Sequence, residues 1–153
     1  LRDCAFDALF EAIAVEPGLG SLRLERVEAS DVSFGLTVHD TLVCPPGGVR
    51  APAARCASGD CGEVRVIDSR FTGGEVQVDL PGVVLFTSQG SVFEDAKIAF
   101  RARGARLELD YCVISGVIQS GTGLLLHSVS GHLRRCEVNL WNTALEIGDG
   151  DCG

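Results

Sequence analysis

Apolar and polar residues alternate along most of this chain in short runs separated by bends. The segment Leu107-Glu-Leu109-Asp-Tyr-Cys112-Val-Ile114-Ser-Gly shows the unit: a stretch of period two, a break, and the pattern again. The pairs Ile13/Val15, Leu36/Val38, Val76/Val78, Leu124/Leu126 and Leu145/Ile147 each enclose one residue, the signature of a strand with one buried face. The unit recurs in three columns. The first holds Val15, Val38, Val78, Phe100, Leu126 and Ile147; the second Leu24, Val66, Phe86, Leu109 and Leu133; the third Phe6, Ala29, Phe71, Val92, Ile114 and Val138. All three skip once, between Val38 and Val66, and one insertion of about 19 residues explains the skip; elsewhere the unit returns roughly every 23 residues. Short strands with Gly, Asp, Asn and Ser at the bends predict a coiled solenoid in which each strand pairs in parallel with its equivalent one turn on.

With this repeat the chain resembles the right-handed parallel β-helix superfamily, the pectate-lyase-like fold, over nearly all its length outside the insertion. The resemblance implies an all-β, right-handed parallel β-helix of about six turns, and the general bias of parallel crossovers gives the same hand. It specifies a fold and no particular family. A leucine-rich repeat has a similar period, but its Leu-x-x-Leu-x-Leu-x-x-Asn core is missing and Asn stands only at Asn139 and Asn142.

Residues 1 to 16 permit two readings. Phe6, Leu9, Phe10 and Ile13 lie at helical spacing before Pro17-Gly18, which suits a capping helix. Yet Leu1-Arg-Asp-Cys4-Ala-Phe6 through Ala12-Ile13-Ala-Val15 superposes without gaps on Leu133-Arg-Arg-Cys136-Glu-Val138 through Ala144-Leu145-Glu-Ile147, which favours a rung of the solenoid. The insertion, at about 43–62, contains Pro45, Pro46 and Pro52 and is expected to leave the single domain of 1–153 as a loop, because proline cannot serve a central ladder.

Composition narrows the function. The core residues are mostly Val, Leu, Ile and Ala, with only 6% aromatics, as a narrow stacked interior requires. Net charge is −8 and Lys97 is the single lysine, so the basic footprint of a nucleic-acid binder is missing. Runs such as Val83-Val84-Leu85-Phe86 are far too short to span a bilayer. Starting at Leu1 and lacking Met, the chain is expected to be processed or part of a longer one.

Seven cysteines, with Cys44, Cys56 and Cys61 in or beside the loop, point to an oxidising compartment and hence to an extracellular or cell-surface protein. Cys56 and Cys61 have only Cys44 and His39 as nearby partners for a zinc shell, so a disulfide is the favoured reading. Cys112 and Cys136 occupy equivalent places on adjacent turns, about 4.8 Å apart, where either a tight disulfide or stacked thiols fit. Asp149 and Asp151 supply too few oxygens for calcium.

The residues between the buried pairs should face outward: Ala14, Thr37, Gln77, Ala99, Leu125 and Glu146 in one row, and Arg23, Arg65, Leu85, Glu108 and His132 in another. Neither row stacks carboxylates on adjacent turns. No Asn-Thr-Asp or Gly-His-Gly triplet appears, no Ser/His/Asp set can be assembled from His39, His127 and His132, and an ice-binding threonine ladder has only Thr37. No catalytic residue, metal or cofactor is therefore assigned. Arg23 with Arg65 is the candidate binding pair, for an acidic polysaccharide, and fits equally a pair of solvated gatekeepers that keep the wall soluble. The leading expectation is a non-catalytic structural or adhesive solenoid of the cell surface or an extracellular fibre, self-associating end to end because parallel edges invite pairing. The alternatives are a polysaccharide-binding or polysaccharide-cleaving β-helix and a module that engages a surface protein through the loop.

Overall fold

The computed structural model describes residues 1–16, 20–39, 62–82 and 84–148. Cys44, Cys56, Cys61 and the rest of the expected loop up to residue 61, together with Asp149 and Asp151, lie outside the described residues.

All the strands pair in parallel, and three faces wind around one core. Face A is the five-stranded sheet of β3 (Ser21–Glu25), β6 (Gly62–Ile67), β9 (Val84–Gln89), β12 (Arg106–Asp110) and β14 (Ser130–Arg134). Face B stacks β1 (Ala5–Asp7), β4 (Glu28–Ser30), β7 (Arg70–Thr72) and β10 (Val92–Glu94) beneath the first parts of β13 (Val113–His127) and β15 (Glu137–Gly148). Face C stacks β2 (Glu11–Val15), β5 (Phe34–Val38), β8 (Val76–Leu80) and β11 (Ile98–Arg103) beneath their second parts. The chain is thus an all-β parallel solenoid with a turn of roughly 23 residues. Among the described residues there is no helix, and so none long and apolar enough to cross a membrane. Residues 1 to 16 form a rung: β1 pairs with β4, β2 with β5, and Arg2 bridges Glu25. That rung adds only a bridge to face A, so the solenoid has about five turns rather than the six expected.

The core is a stack of side chains from equivalent positions. Phe71 and Phe93 lie parallel with centroids 5.3 Å apart, and Phe100 meets Phe93 edge-on at 4.6 Å and Phe86 at 5.7 Å. All four rings are buried, and such pairs add about 0.5–1.5 kcal/mol each beyond the area they bury.

The observed register corrects the columns in two ways. In the first column Val15 and Val38 continue through Leu80 and Ala102 to Leu126 and Ile147, whereas Val78 and Phe100 belong with Leu36, Leu124 and Leu145. In the second column Ser88, rather than Phe86, lies between Val66 and Leu109. Both slips are two residues, which preserves the buried face. The third column slips by one: Phe93, not Val92, pairs with Phe71 and Ile114 and is fully buried. The outward rows change accordingly. The rows in register are Ala14, Thr37, Asp79, Arg101, Leu125, Glu146 on face C, where the expected outward Thr37 is buried together with Asp79, and Arg23, Arg65, Thr87, Glu108, His132 on face A.

Gln77 and Ala99 do not face outward; both are buried. They stand in a column with Ala12, Gly35, Gly123 and Ala144 that is skipped in every ladder of face C, where the strand bends. Small residues fill the bend: a Cβ on Gly35 would come within 2.6 Å of the Gln77 carbonyl oxygen and 2.9 Å of the Phe71 ring. Gln77 fits by donating its amide to the carbonyls of Phe71 at 3.0 Å and Glu94 at 2.5 Å, across the neighbouring corner.

The corners also depart from the glycine-led expectation. Between faces A and B each rung has one residue of positive φ: Asp3, Arg26, Asp68, Gly90, Tyr111 and Arg135. A small or apolar side chain follows each one, giving the column Cys4, Val27, Ser69, Ser91, Cys112, Cys136. The Ser and Cys members donate back to the carbonyl two residues earlier, as Ser69 does to Ile67 at 2.8 Å and Cys112 to Asp110 at 3.4 Å. Ser69 and Ser91 also link rungs, accepting from the backbone N–H of Val27 at 3.0 Å and of Ser69 at 3.2 Å. The buried Ser69, Ser91 and Cys112 of this column thereby find partners on the backbone.

Candidate functional site: the outer sheet and the open ends

Among the described strands, face A carries more charged side chains than either of the other two faces. Arg23 and Arg65, the expected binding pair, are register neighbours. Each is held by a carboxylate on its own strand, Glu25 at 3.2 Å and Glu63 at 2.8 Å. Arg106 and Glu108 repeat the arrangement at 2.9 Å. Residues two apart on a strand face the same way, so Arg-x-Glu and Glu-x-Arg in the sequence were the available signal for these pairs. Further pairs bridge rungs. Arg134 donates to both carboxylate oxygens of Asp110 at 2.6 and 3.1 Å, and His132 stands 3.7 Å from the same group. Arg26 forks onto Asp3 at 2.6 and 3.0 Å, and Arg2 reaches Glu25 at 2.9 Å.

These pairs set the protonation states. The hydrogen bond from Arg134 holds the Asp110 carboxyl below its ordinary range, and that from Arg26 does the same for Asp3. Burial pushes the Glu25 carboxyl up, but Arg2 and Arg26 outweigh it and the net shift is downward.

A shallow groove of about 160 Å³ runs across face A between Arg65, Thr87, Gln89, Glu108 and Asp110. Glu108 and Asp110 project from one strand about 7 Å apart. Hydrolysis of a glycosidic bond by such a pair needs one carboxyl kept protonated. Arg134 acts in the opposite sense on Asp110, and Glu108 is paired with Arg106. On face C a second groove, of about 240 Å³, is lined by Asp79, Pro81, Arg101 and Arg103. There Arg101 donates two hydrogen bonds to the buried Asp79, which hold its guanidinium charged. His39, His127 and His132 remain apart: His39 lies 3.3 Å from Glu11 on face C, and His132 is on face A.

Cys112 and Cys136 are free thiols on adjacent rungs, where the Glu137 N–H donates to the Cys112 carbonyl at 2.9 Å. Burial pushes the Cys112 thiol up, and its sulfur sits 3.5 Å from the Ser88 hydroxyl. Cys136 and Cys4 are only half-buried, because each belongs to an end rung.

Those end rungs expose core columns. Leu109 is completely buried, but its neighbour one rung on, Leu133, is 43% exposed. Leu126 is 8% exposed and Ile147, paired with it, 73%. At the opposite end Leu1, Leu9 and Phe10 are exposed, Phe10 to 75%. Compared with models of protein families, with curated proteins and with solved structures, the chain matches none.

Proposed function

We propose that this chain is a non-catalytic structural or adhesive β-solenoid of the cell surface or an extracellular fibre, whose units associate end to end through their open rungs. The observation that carries the reading is the contrast between rungs: the columns that bury Leu109, Leu124 and Leu126 inside the stack present Leu133, Leu145 and Ile147 at its end. An apolar rung whose edge strands have no further partner among the described residues is complementary to another rung of the same kind. The charged outer faces suit a wall in contact with water, since their carboxylates are engaged by arginines one rung or two residues away.

The groove on face A favours a second reading, binding or cleavage of a polysaccharide, with Arg65 and Thr87 beside Glu108 and Asp110. It ranks lower because Arg23 and Arg65, which would hold an acidic sugar, already hold glutamates.

Sedimentation velocity over a range of protein concentrations, in reducing buffer, separates the readings. End-to-end association gives a concentration-dependent series of species that elongate as they grow. A single species of 16.1 kDa at all concentrations contradicts association. Turnover of an acidic or neutral polysaccharide contradicts the non-catalytic reading.

A further inference from the structure

The two end rungs hold equivalent residues in equivalent places, and this sets how they would meet. Leu133, Arg134, Arg135, Cys136 and Val138 at one end correspond to Leu1, Arg2, Asp3, Cys4 and Phe6 at the other, with Leu145 and Ile147 corresponding to Ile13 and Val15. Asp3 and Arg135 occupy the same left-handed corner, with φ of 54° and 53°. Cys4 and Cys136 follow them and donate to the carbonyls of Arg2 at 3.3 Å and Arg134 at 3.5 Å, so the two thiols share this turn, while Cys136 also donates to the Leu109 carbonyl on the rung below at 3.3 Å.

Resting on the end-to-end reading, we infer that the junction between two copies is in register, Leu133 against Leu1, and that Cys136 of one copy and Cys4 of the next form a cross-link that locks it. Charge supports this register at the corner. Asp3 already pairs with Arg26 one rung away, its side chain remains 61% exposed, and in the stack Arg135 arrives on its other side. Arg135 is poised for this by the Tyr111 ring, which lies 5.2 Å beneath its guanidinium. One column opposes the match, since Arg134 and Arg2 become neighbours. Each of them keeps a carboxylate partner, Asp110 and Glu25, and exposed like charges so compensated repel weakly in salt.

The in-register junction sets the two cysteines one rung apart, about 4.8 Å between Cα atoms, within the range of roughly 4.4–6.8 Å that a disulfide spans. Within the chain Cys112 is equally near Cys136 in register, but it is buried, its thiol is pushed up and Ser88 engages it. Cys4, on the end rung, is only half-buried. The chemistry is thiol–disulfide exchange with a small-molecule disulfide such as oxidised glutathione. One cysteine thiolate attacks a reagent sulfur and expels one glutathione thiolate; the second cysteine then displaces the remaining glutathione. Two thiols give up two electrons and two protons, and the reagent leaves as two thiols.

The test uses oxidised glutathione on the wild-type chain and on Cys4→Ser and Cys136→Ser, with non-reducing electrophoresis and peptide mapping, beside sedimentation of the reduced forms. The inference expects a covalent ladder containing a Cys4–Cys136 linked peptide, lost in each variant alone. An equimolar mixture of the two variants should stop at the covalent dimer, because each copy then brings one competent end. A ladder that survives both substitutions, or a Cys112–Cys136 peptide in its place, overturns the cross-link. Association in the reduced state without the Cys4–Cys136 peptide overturns it too, while leaving the end-to-end reading standing. No association in the reduced state and no cross-link removes both.

Discussion

The middle rungs and the last rung are built on the same pattern yet live in different environments. Phe93, in β10, packs between Phe71 on one side and Ile114 on the other, both buried. Leu145 and Ile147, in β15, have Leu124 and Leu126 on one side and no described neighbour on the other. In a stacked fold burial thus comes from neighbouring rungs as much as from the side chain itself, and stability is approximately a sum over adjacent rungs. The same apolar residue is core in the middle and interface at the end.

The contrast can be broken most strongly at Phe93. Phe93→Ala should cost about 3–5 kcal/mol, the range for a buried aromatic truncated to alanine, read as a lower midpoint in chemical denaturation. A loss within about 0.5 kcal/mol, the range of surface substitutions, would show that the middle rungs are not the tightly packed part. Next is the corner column. Ser69→Ala leaves the buried Val27 N–H without its acceptor, a penalty of about 1–3 kcal/mol, and hydrogen exchange at Val27 should accelerate with it.

Acid sharpens the comparison at the surface. The folded carboxyls of Asp3 and Asp110 lie below their ordinary range, so the folded chain binds these protons more weakly than the unfolded one. Their contribution is complete above the unfolded carboxylate range near pH 4 and is lost as pH falls through the folded values. Arg134→Gln removes the main cause at Asp110 and should make the acid limb of a stability–pH curve shallower; an unchanged limb would remove Asp110 from the account. The smallest effect is expected at the end rung. Ile147→Ala should change the stability of the dissociated chain by no more than about 0.5 kcal/mol while weakening association, which pairs a denaturation midpoint with a sedimentation isotherm. A large loss of stability at low concentration would mean that Ile147 is already covered within one copy.

The fold was readable because period-two alternation and a repeat near 23 residues are strong signals together. Registration was less so, for a physical reason: a slip of two residues keeps the same face inward, so Val78, Phe100 and Phe86 fitted columns that belong to Leu80, Ala102 and Ser88. At β10 the three-residue strand is too short to show alternation, so the pattern does not separate Val92 from Phe93. Gln77 leaves the outward row because the bend in face C turns its amide inward, where the NH2 donates to the carbonyls of Phe71 and Glu94 and the buried Oε1 has no partner among the described residues. Of the candidate site, Arg23 and Arg65 do stack on one face, but their engagement by Glu25 and Glu63 depends on side-chain geometry that alternation alone does not specify. The left-handed corners leave no mark in the sequence, because Arg26, Tyr111 and Arg135 hold a conformation for which glycine is the usual signal.

Electron microscopy of the reduced protein at high concentration tests the central claim most directly. In-register stacking predicts unbranched filaments with a rung spacing of about 4.8 Å and an axial repeat set by the six strands that faces B and C each stack, roughly 29 Å. Discrete particles of single-chain size under the same conditions would contradict it.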